Sequence, residues 1–231
     1  SPGDEVVVLE PIYDSYSAAI EMAGAVRRTV RLEWPEYRLQ ADRLTAAVTD
    51  RTRLILLNTP HNPTGRVLDR AELELIARIA QERDLIVIAD EVYEHLTFGG
   101  HPHVPIATLP GMAARTVTIS SAGKTFSVTG WKIGWLHARP EIVDAVTAVK
   151  QFLTYVNGSP FQPAVATGLA LPDDRSGPSA PIWPSAARCS PMAQSRRIRG
   201  TPQRRNVFRD RRRRPAGLCG RCCPVQRPAS A

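Results

Sequence analysis

Lys124 stands in the stretch Ser120–Trp135, SSAGKTFSVTGWKIGW, on a glycine-containing turn straight after the apolar run Val117–Ile119. Ser121 lies three residues before this lysine and a second cation, Lys132, eight residues after it. An amine held out of water at a sheet edge, beside another cation, acts as a nucleophile towards carbonyls. Ser121 and Lys132 together suit a phosphate, through a hydroxyl, neighbouring turn N–H groups and a point charge.

The elements that must hold these groups can be read from apolar patterning. Glu5–Leu9, Arg53–Leu57, Leu85–Ala89, Arg115–Ser120 and Ile133–Ala138 are short apolar runs of the kind that form buried strands. Val26–Leu32 alternates and predicts a further strand. Between them, Ser17–Ala23, Leu39–Val48 (with Asp42 as its expected cap) and Asp69–Arg83 predict helices, and Pro140 opens one over 141–152. In Asp69–Arg83, Leu73, Ile76, Ala77 and Ala80 share one face and charges cover the other. Alternating strands and helices predict an α/β fold with a mostly parallel sheet and flanking helices. Ligands of such sheets gather at the carboxyl ends of the strands. Asn62, Asp90 and Lys124 each lie just past such an end, so one rim carries all three. Asn62 sits in the loop Asn58-Thr59-Pro60-His61-Asn62-Pro63-Thr64-Gly65, a fixed non-helical turn in which Asn62–Pro63 is a candidate cis bond.

GKTFSVTGWKIGW resembles the lysine segment of the class I/II aminotransferases, pyridoxal-phosphate (PLP) enzymes of fold type I. Its wording is most similar to the kynurenine/glutamine aminotransferase branch and to the actinobacterial N-succinyldiaminopimelate aminotransferases. HNPTG and ADEVYEHL resemble two further family segments, and the order NPTG, DEVY, SxxK is far more specific than NPTG alone. The resemblance implies the large PLP-binding domain, with Lys124 as the residue that bonds covalently to the cofactor and Ser121 and Lys132 at its phosphate. It implies Asp90 paired with the pyridine nitrogen, Asn62 and Tyr93 bonded to the phenolic oxygen, and Tyr13 of EPIYDSY stacked on the ring. Each residue also has an ordinary use. Asp90 suits a turn, Tyr93 a core position, Asn62 an Asn-Pro turn, and Tyr13 fits plain packing after a strand as well as it fits stacking. Tyr155 and Asn157, after the last helix, stand near the pocket or away from it on equal terms.

The implied activity is amino-group transfer between an amino acid and a 2-oxo acid, by a homodimer. The alternatives are C–S β-elimination on the same scaffold and an inactive fragment. The resemblance covers roughly residues 1–171. The family's glycine-rich phosphate turn and its carboxylate-clamping arginine have no counterpart in that span.

The net charge of +8 is unevenly placed. Residues 175–231 hold 14 Arg, no Lys and one acid, a balance of +13, which leaves −5 for residues 1–174. That division marks off a mildly acidic body over 1–174, which the resemblance implies is a partial PLP-binding domain. It predicts an Arg/Pro-rich tail over 175–231, disordered by composition or produced by a frame change near codon 174 in the middle of a helical stretch. Arg211–Arg214 has no interleaved aromatics and no platform, so nucleic acid is not an expected partner. No leader and no membrane-length apolar run is read, and a membrane is not expected. All four cysteines, Cys189, Cys219, Cys222 and Cys223, fall in the tail. A body without disulfides fits a reducing cytoplasm. His101-x-His103 lacks ligand-spaced partners and is expected in an exposed loop rather than at a metal.

Overall fold

Uninterrupted Val, Ile and Leu suit strands covered on both faces, and such runs build the centre of this chain. The computed structural model describes residues 1–98, 100–156 and 158–172, all within one compact unit that spans Ser1–Pro191. The domain boundary expected at 174, the tail with its cysteines and arginines, and Asn157 lie outside the described residues. In chain order the elements are β1 (Glu5–Glu10), α1 (Asp14–Met22), β2 (Val26–Arg31), α2 (Ala41–Ala47), β3 (Thr52–Asn58), α3 (Arg70–Glu82) and β4 (Ile86–Asp90). They continue with β5 (Thr116–Ser121), α4 (Ala122–Thr125), β6 (Gly134–His137), α5 (Pro140–Leu153) and α6 (Gln162–Leu169).

The strands form a single sheet in the order β2-β1-β3-β4-β5-β6. All neighbours pair in parallel except β5 and β6, which are antiparallel. From β1 the chain turns to β2 on one side and later to β3 on the other. This reversal opens the crevice in which such sheets bind ligands. Pairing levels the strand ends, with Asn58 opposite Asp90 and Asp90 opposite Ile119.

The main core lies between the sheet and its helices. Val7, Leu44, Ile55, Leu57, Leu73, Ile76, Val87 and Met112 are all fully enclosed within it. Each such side chain contributes about 1.5–3 kcal/mol by leaving water. The helix α3 is fixed at its start as well as along its face. Asp69 accepts from the Glu72 amide, and Glu72 accepts from the Asp69 amide, so two orphan N–H groups are satisfied reciprocally. Glu72 also bonds Leu39 N and Arg66, which ties the cap to the preceding loop. D69A is expected to lose about 1 kcal/mol of folding stability, read as a lower urea midpoint with an unchanged slope.

Three local expectations are corrected. Asp42 is not the cap of α2; Gln40 holds that place with no side-chain bond, and Asp42 sits inside the first turn. His103 is not on an exposed loop, for its side chain is only 6% exposed and its Nε2 lies 3.2 Å from the enclosed Glu91. The Glu91 carboxylate, enclosed just after β4, accepts from the Ile106 amide at 3.3 Å and ties the loop down, while His101 stays exposed. In the stretch read as helical at the body's end, the last helix among the described residues, α6, already closes at Leu169, with Ala170 as its C-cap.

Candidate active site

The rim formed by the ends of β3, β4 and β5 carries the groups singled out by type and spacing. Asn58, the last residue of β3, is the joint between them. Its Nδ2 donates to the Asp90 carbonyl at 2.9 Å, and its Oδ1 accepts from the Asn62 amide at 2.7 Å. One buried amide therefore sets the height of Asp90 and the start of the Asn62 turn together. Sequence reasoning passes over Asn58 because an asparagine at a strand end reads as a turn former. Its position level with Asp90 is the signal that reveals it. The Asn62–Pro63 bond is cis, as expected.

Asp90 is half-buried at the end of β4. Its Oδ1 accepts from the Val92 amide at 3.2 Å, and its Oδ2 accepts from the Tyr16 hydroxyl at 2.5 Å. Tyr93 follows on the turn, half-buried, and the Lys124 amine stands 5.5 Å from its ring centroid. A cation over an aromatic face is attracted by the ring quadrupole. Lys124 itself is half-buried in α4, a four-residue helix capped by Ser121. Asp90, Tyr93 and Lys124 are thus brought together, and Asn62 is tied to Asp90 through Asn58.

The Ser121 cap works through its Oγ, which accepts from the Gly123 amide at 3.1 Å and reaches the Ile133 carbonyl at 3.3 Å. The antiparallel β5–β6 pairing sets Ser121 opposite Gly134, so Lys132 arrives just beyond the Ser121 side of the sheet edge. Lys132 is exposed and adopts a left-handed conformation, φ 56° and ψ 38°. Ser127 does the same at φ 57°. Non-glycine residues held this way cost about 1–3 kcal/mol each and cluster where function requires them. Gly123 is needed for a different reason. A Cβ there would lie 3.1 Å from both Ser121 Oγ and Thr129 Cα, so the turn would have to give by a few tenths of an ångström to hold one.

Tyr13, at the N-cap of α1, is 47% exposed and meets Tyr16 edge-on at 5.7 Å. Tyr155 does not join the rim. It is 77% exposed and lines a separate cleft of about 410 Å³ with Ile133, Trp135, Lys150 and Val165. Among the described residues no group of three or more His, Cys, Asp or Glu is placed to hold a metal ion. No helix among them is long and apolar enough to cross a membrane.

His61, in the same loop as Asn62, is 4% exposed, and its Nδ1 lies 2.7 Å from Thr64 Oγ1. Burial pushes its pKa below the ordinary 6.5; bonds to the Leu9 and Pro11 carbonyls oppose this and Arg66 adds to it. The folded chain therefore prefers neutral His61. Stability from this group is present above pH 6.5 and is lost as pH falls below it towards the lower folded value, because the unfolded chain takes up the proton first. The expected loss is at most about 1.4 kcal/mol per pH unit. Unfolding midpoints of wild type and H61N between about pH 7.5 and 5 test it, and H61N is expected to show the shallower decline.

A levelled row of amide, carboxylate, phenol and amine stands at strand ends next to a switch in strand order, where α/β sheets bind their ligands. The chain belongs to the aminotransferase class I and II family, whose pattern matches residues 1–181. It is 51% identical over 199 residues to the probable N-succinyldiaminopimelate aminotransferase DapC of Mycobacterium tuberculosis, covering 85% of this chain and 48% of that protein. It is 43% identical over 175 residues to kynurenine–oxoglutarate transaminase 3 of Rattus norvegicus, covering 71% of this chain and 38% of that protein. The solved N-succinyldiaminopimelate aminotransferase of M. tuberculosis superposes with a TM-score of 0.79 at 50% identity, covering 84% of this chain and 50% of the other. YbdL of Escherichia coli, with a methionine aminotransferase function, superposes with a TM-score of 0.73 at 36% identity, covering 76% and 46%. The chain spans about half the length of the curated relatives it matches.

Proposed function

We propose that these residues form the PLP-binding half of an aminotransferase, which moves an amino group between an amino acid and a 2-oxo acid. The observation that carries this reading is the placement of Lys124 and Tyr93 past the strand ends at which Asp90 sits: an amine 5.5 Å from an aromatic ring centroid, on a rim that also carries a carboxylate held from two sides. Family membership supports it, since class I and II aminotransferases in general use PLP.

The residues fit that group. Asp90, with both oxygens already held by donors, presents a fixed carboxylate to a pyridinium nitrogen. Tyr93 and Asn62 offer donors for a phenolic oxygen, and Tyr13 an exposed ring face. Ser121 and Lys132 supply a hydroxyl and a charge for a phosphate. When bound, PLP supplies an electron sink for the carbanion left at the substrate Cα. The protein's own work is narrower. Lys124 would hold the cofactor's carbonyl group through its amine, with loss of water, and when free would carry the proton from and to carbon as general base and acid. Asp90 holds positive charge on the ring, and Tyr93 orients the donor at the ring oxygen.

The 51% identity to a probable N-succinyldiaminopimelate aminotransferase supports N-succinyl-diaminopimelate as the first amino donor to try, ahead of kynurenine at 43%. A homodimer and a cytoplasmic setting accompany this reading. Titrating the chain with PLP and then adding donor and 2-oxoglutarate tests it. The expected result is saturable uptake of the cofactor with its absorbance changed on adding donor, and glutamate formed. No uptake at micromolar PLP overturns the site. Uptake with pyruvate and ammonia released from a cysteine conjugate, without an oxo-acid acceptor, favours the β-lyase instead.

A further inference from the structure

Tyr16 lies outside the set of residues expected to touch the cofactor, yet it makes the shortest bond on the rim. Its hydroxyl donates to Asp90 Oδ2 at 2.5 Å across 74 residues of sequence. O–H···O⁻ bonds of this length are charge-assisted and about twice as strong as neutral ones. Burial, and then the Asp90 charge, push the Tyr16 pKa far up, so the hydroxyl stays a donor at any working pH.

The position of Tyr16 gives this bond its meaning. Tyr16 is in the first turn of α1, which follows β1, while Asp90 ends β4, and β3 lies between those two strands. The hydrogen bond therefore spans the crevice. The Tyr16 ring is also the edge-on neighbour of Tyr13, at 5.7 Å and 80°. Asp90 is held on its other oxygen by Val92 N and at its carbonyl by Asn58. Without Tyr16, one carboxylate oxygen loses its partner, and Tyr13 loses the ring against which its angle is set.

We propose that Tyr16 is a positioning residue that locks the Asp90 carboxylate towards the cofactor ring nitrogen and, through the same ring, sets the platform of Tyr13. This rests on the functional reading above. One side chain thereby couples the group beneath the ring to the group at its nitrogen. A carboxylate held on both oxygens keeps one direction in which it can meet a cation. A free one samples several and loses part of the interaction to rotation.

The test uses the full 231-residue chain as wild type, Y16F and D90N. In the cofactor-free chain, the Tyr16 ¹³Cζ signal is followed against pH. In wild type it is expected to stay unmoved across the working pH range and in D90N to begin moving at the alkaline end, because the negative charge that opposes ionisation is gone. With PLP labelled at the ring nitrogen, Y16F is expected to bind about tenfold more weakly, roughly 1.4 kcal/mol. Its ¹⁵N signal should move towards the unprotonated position at about pH 8. Thermal unfolding of Y16F separates these effects from misfolding. Should Y16F be too unstable to assay, 3-fluorotyrosine at position 16 keeps the ring's shape and strengthens the donor. Its ¹⁵N signal should then shift from that of wild type. Wild-type affinity and ¹⁵N position in Y16F, or no shift with the fluorotyrosine, overturn the proposal while leaving the functional reading intact. A wild-type chain that takes up no PLP removes both, whatever the ¹³C titration shows.

Discussion

K124A is expected to abolish covalent capture of pyridoxal phosphate. After incubation with the cofactor and borohydride, wild type should yield one mass-shifted peptide, the one containing Lys124, and K124A none. The chain makes this result unusually clean, because it holds only three lysines, Lys124, Lys132 and Lys150. Lys132 and Lys150 are both exposed, and Lys150 bonds Thr154. Lys124 is half-buried with its amine by the Tyr93 ring, where competition from water is reduced. Loss of the proton carrier alone is expected to cost about 10²–10⁴-fold in amino-group transfer. Reversible binding should survive, since Asp90, Tyr93 and Ser121 are unchanged. An adduct on Lys132 in the wild-type chain would move the catalytic role and defeat the assignment.

D90N is the second large effect. Asparagine keeps the shape of the side chain and one oxygen to accept from the Val92 amide, while the Tyr16 hydroxyl can turn to accept from its NH2, but it removes the charge. If Asp90 serves a pyridinium, affinity for PLP should fall about 100-fold, or roughly 3 kcal/mol, because a partly buried cation is then left without its counter-charge. Guanidinium unfolding of the cofactor-free chain should change by less than about 1 kcal/mol. The opposite pattern, unchanged affinity with a clear loss of stability, would mark Asp90 as a residue that merely closes β4. The two substitutions separate two functions: K124A removes the bond to the cofactor and leaves affinity, and D90N removes affinity and leaves the bond possible at high cofactor concentration.

Much of the fold is legible because its strands are continuous apolar runs bounded by turn residues, and a buried parallel strand needs little else. The long helix expected over Asp69–Arg83 agrees with α3 to within one residue at each end, since its apolar face repeats strictly and Asp69 caps it. Short elements escape. Lys124 reads as a turn residue, and the structure gives it a four-residue helix, too brief for any period to register. The buried state of His103 is invisible in the sequence because it depends on Glu91 turning inward while its neighbour Asp90 turns outward, a choice made by strand register rather than by residue type.

By itself the sequence determined that this is an α/β chain with chemistry-bearing residues after successive strands, and NPTG, DEVY and SxxK in that order carried its resemblance to the family. Apolar period and turn composition are local properties, so a linear chain carries them in full. What only the tertiary structure decided is which groups meet. Asn58 joins Asp90 to Asn62, Tyr16 crosses β3 to reach Asp90, and antiparallel pairing brings Ile133 to Ser121. These contacts join residues as many as 74 positions apart. They exist only because sheet order and register fix distances that no spacing along the chain records.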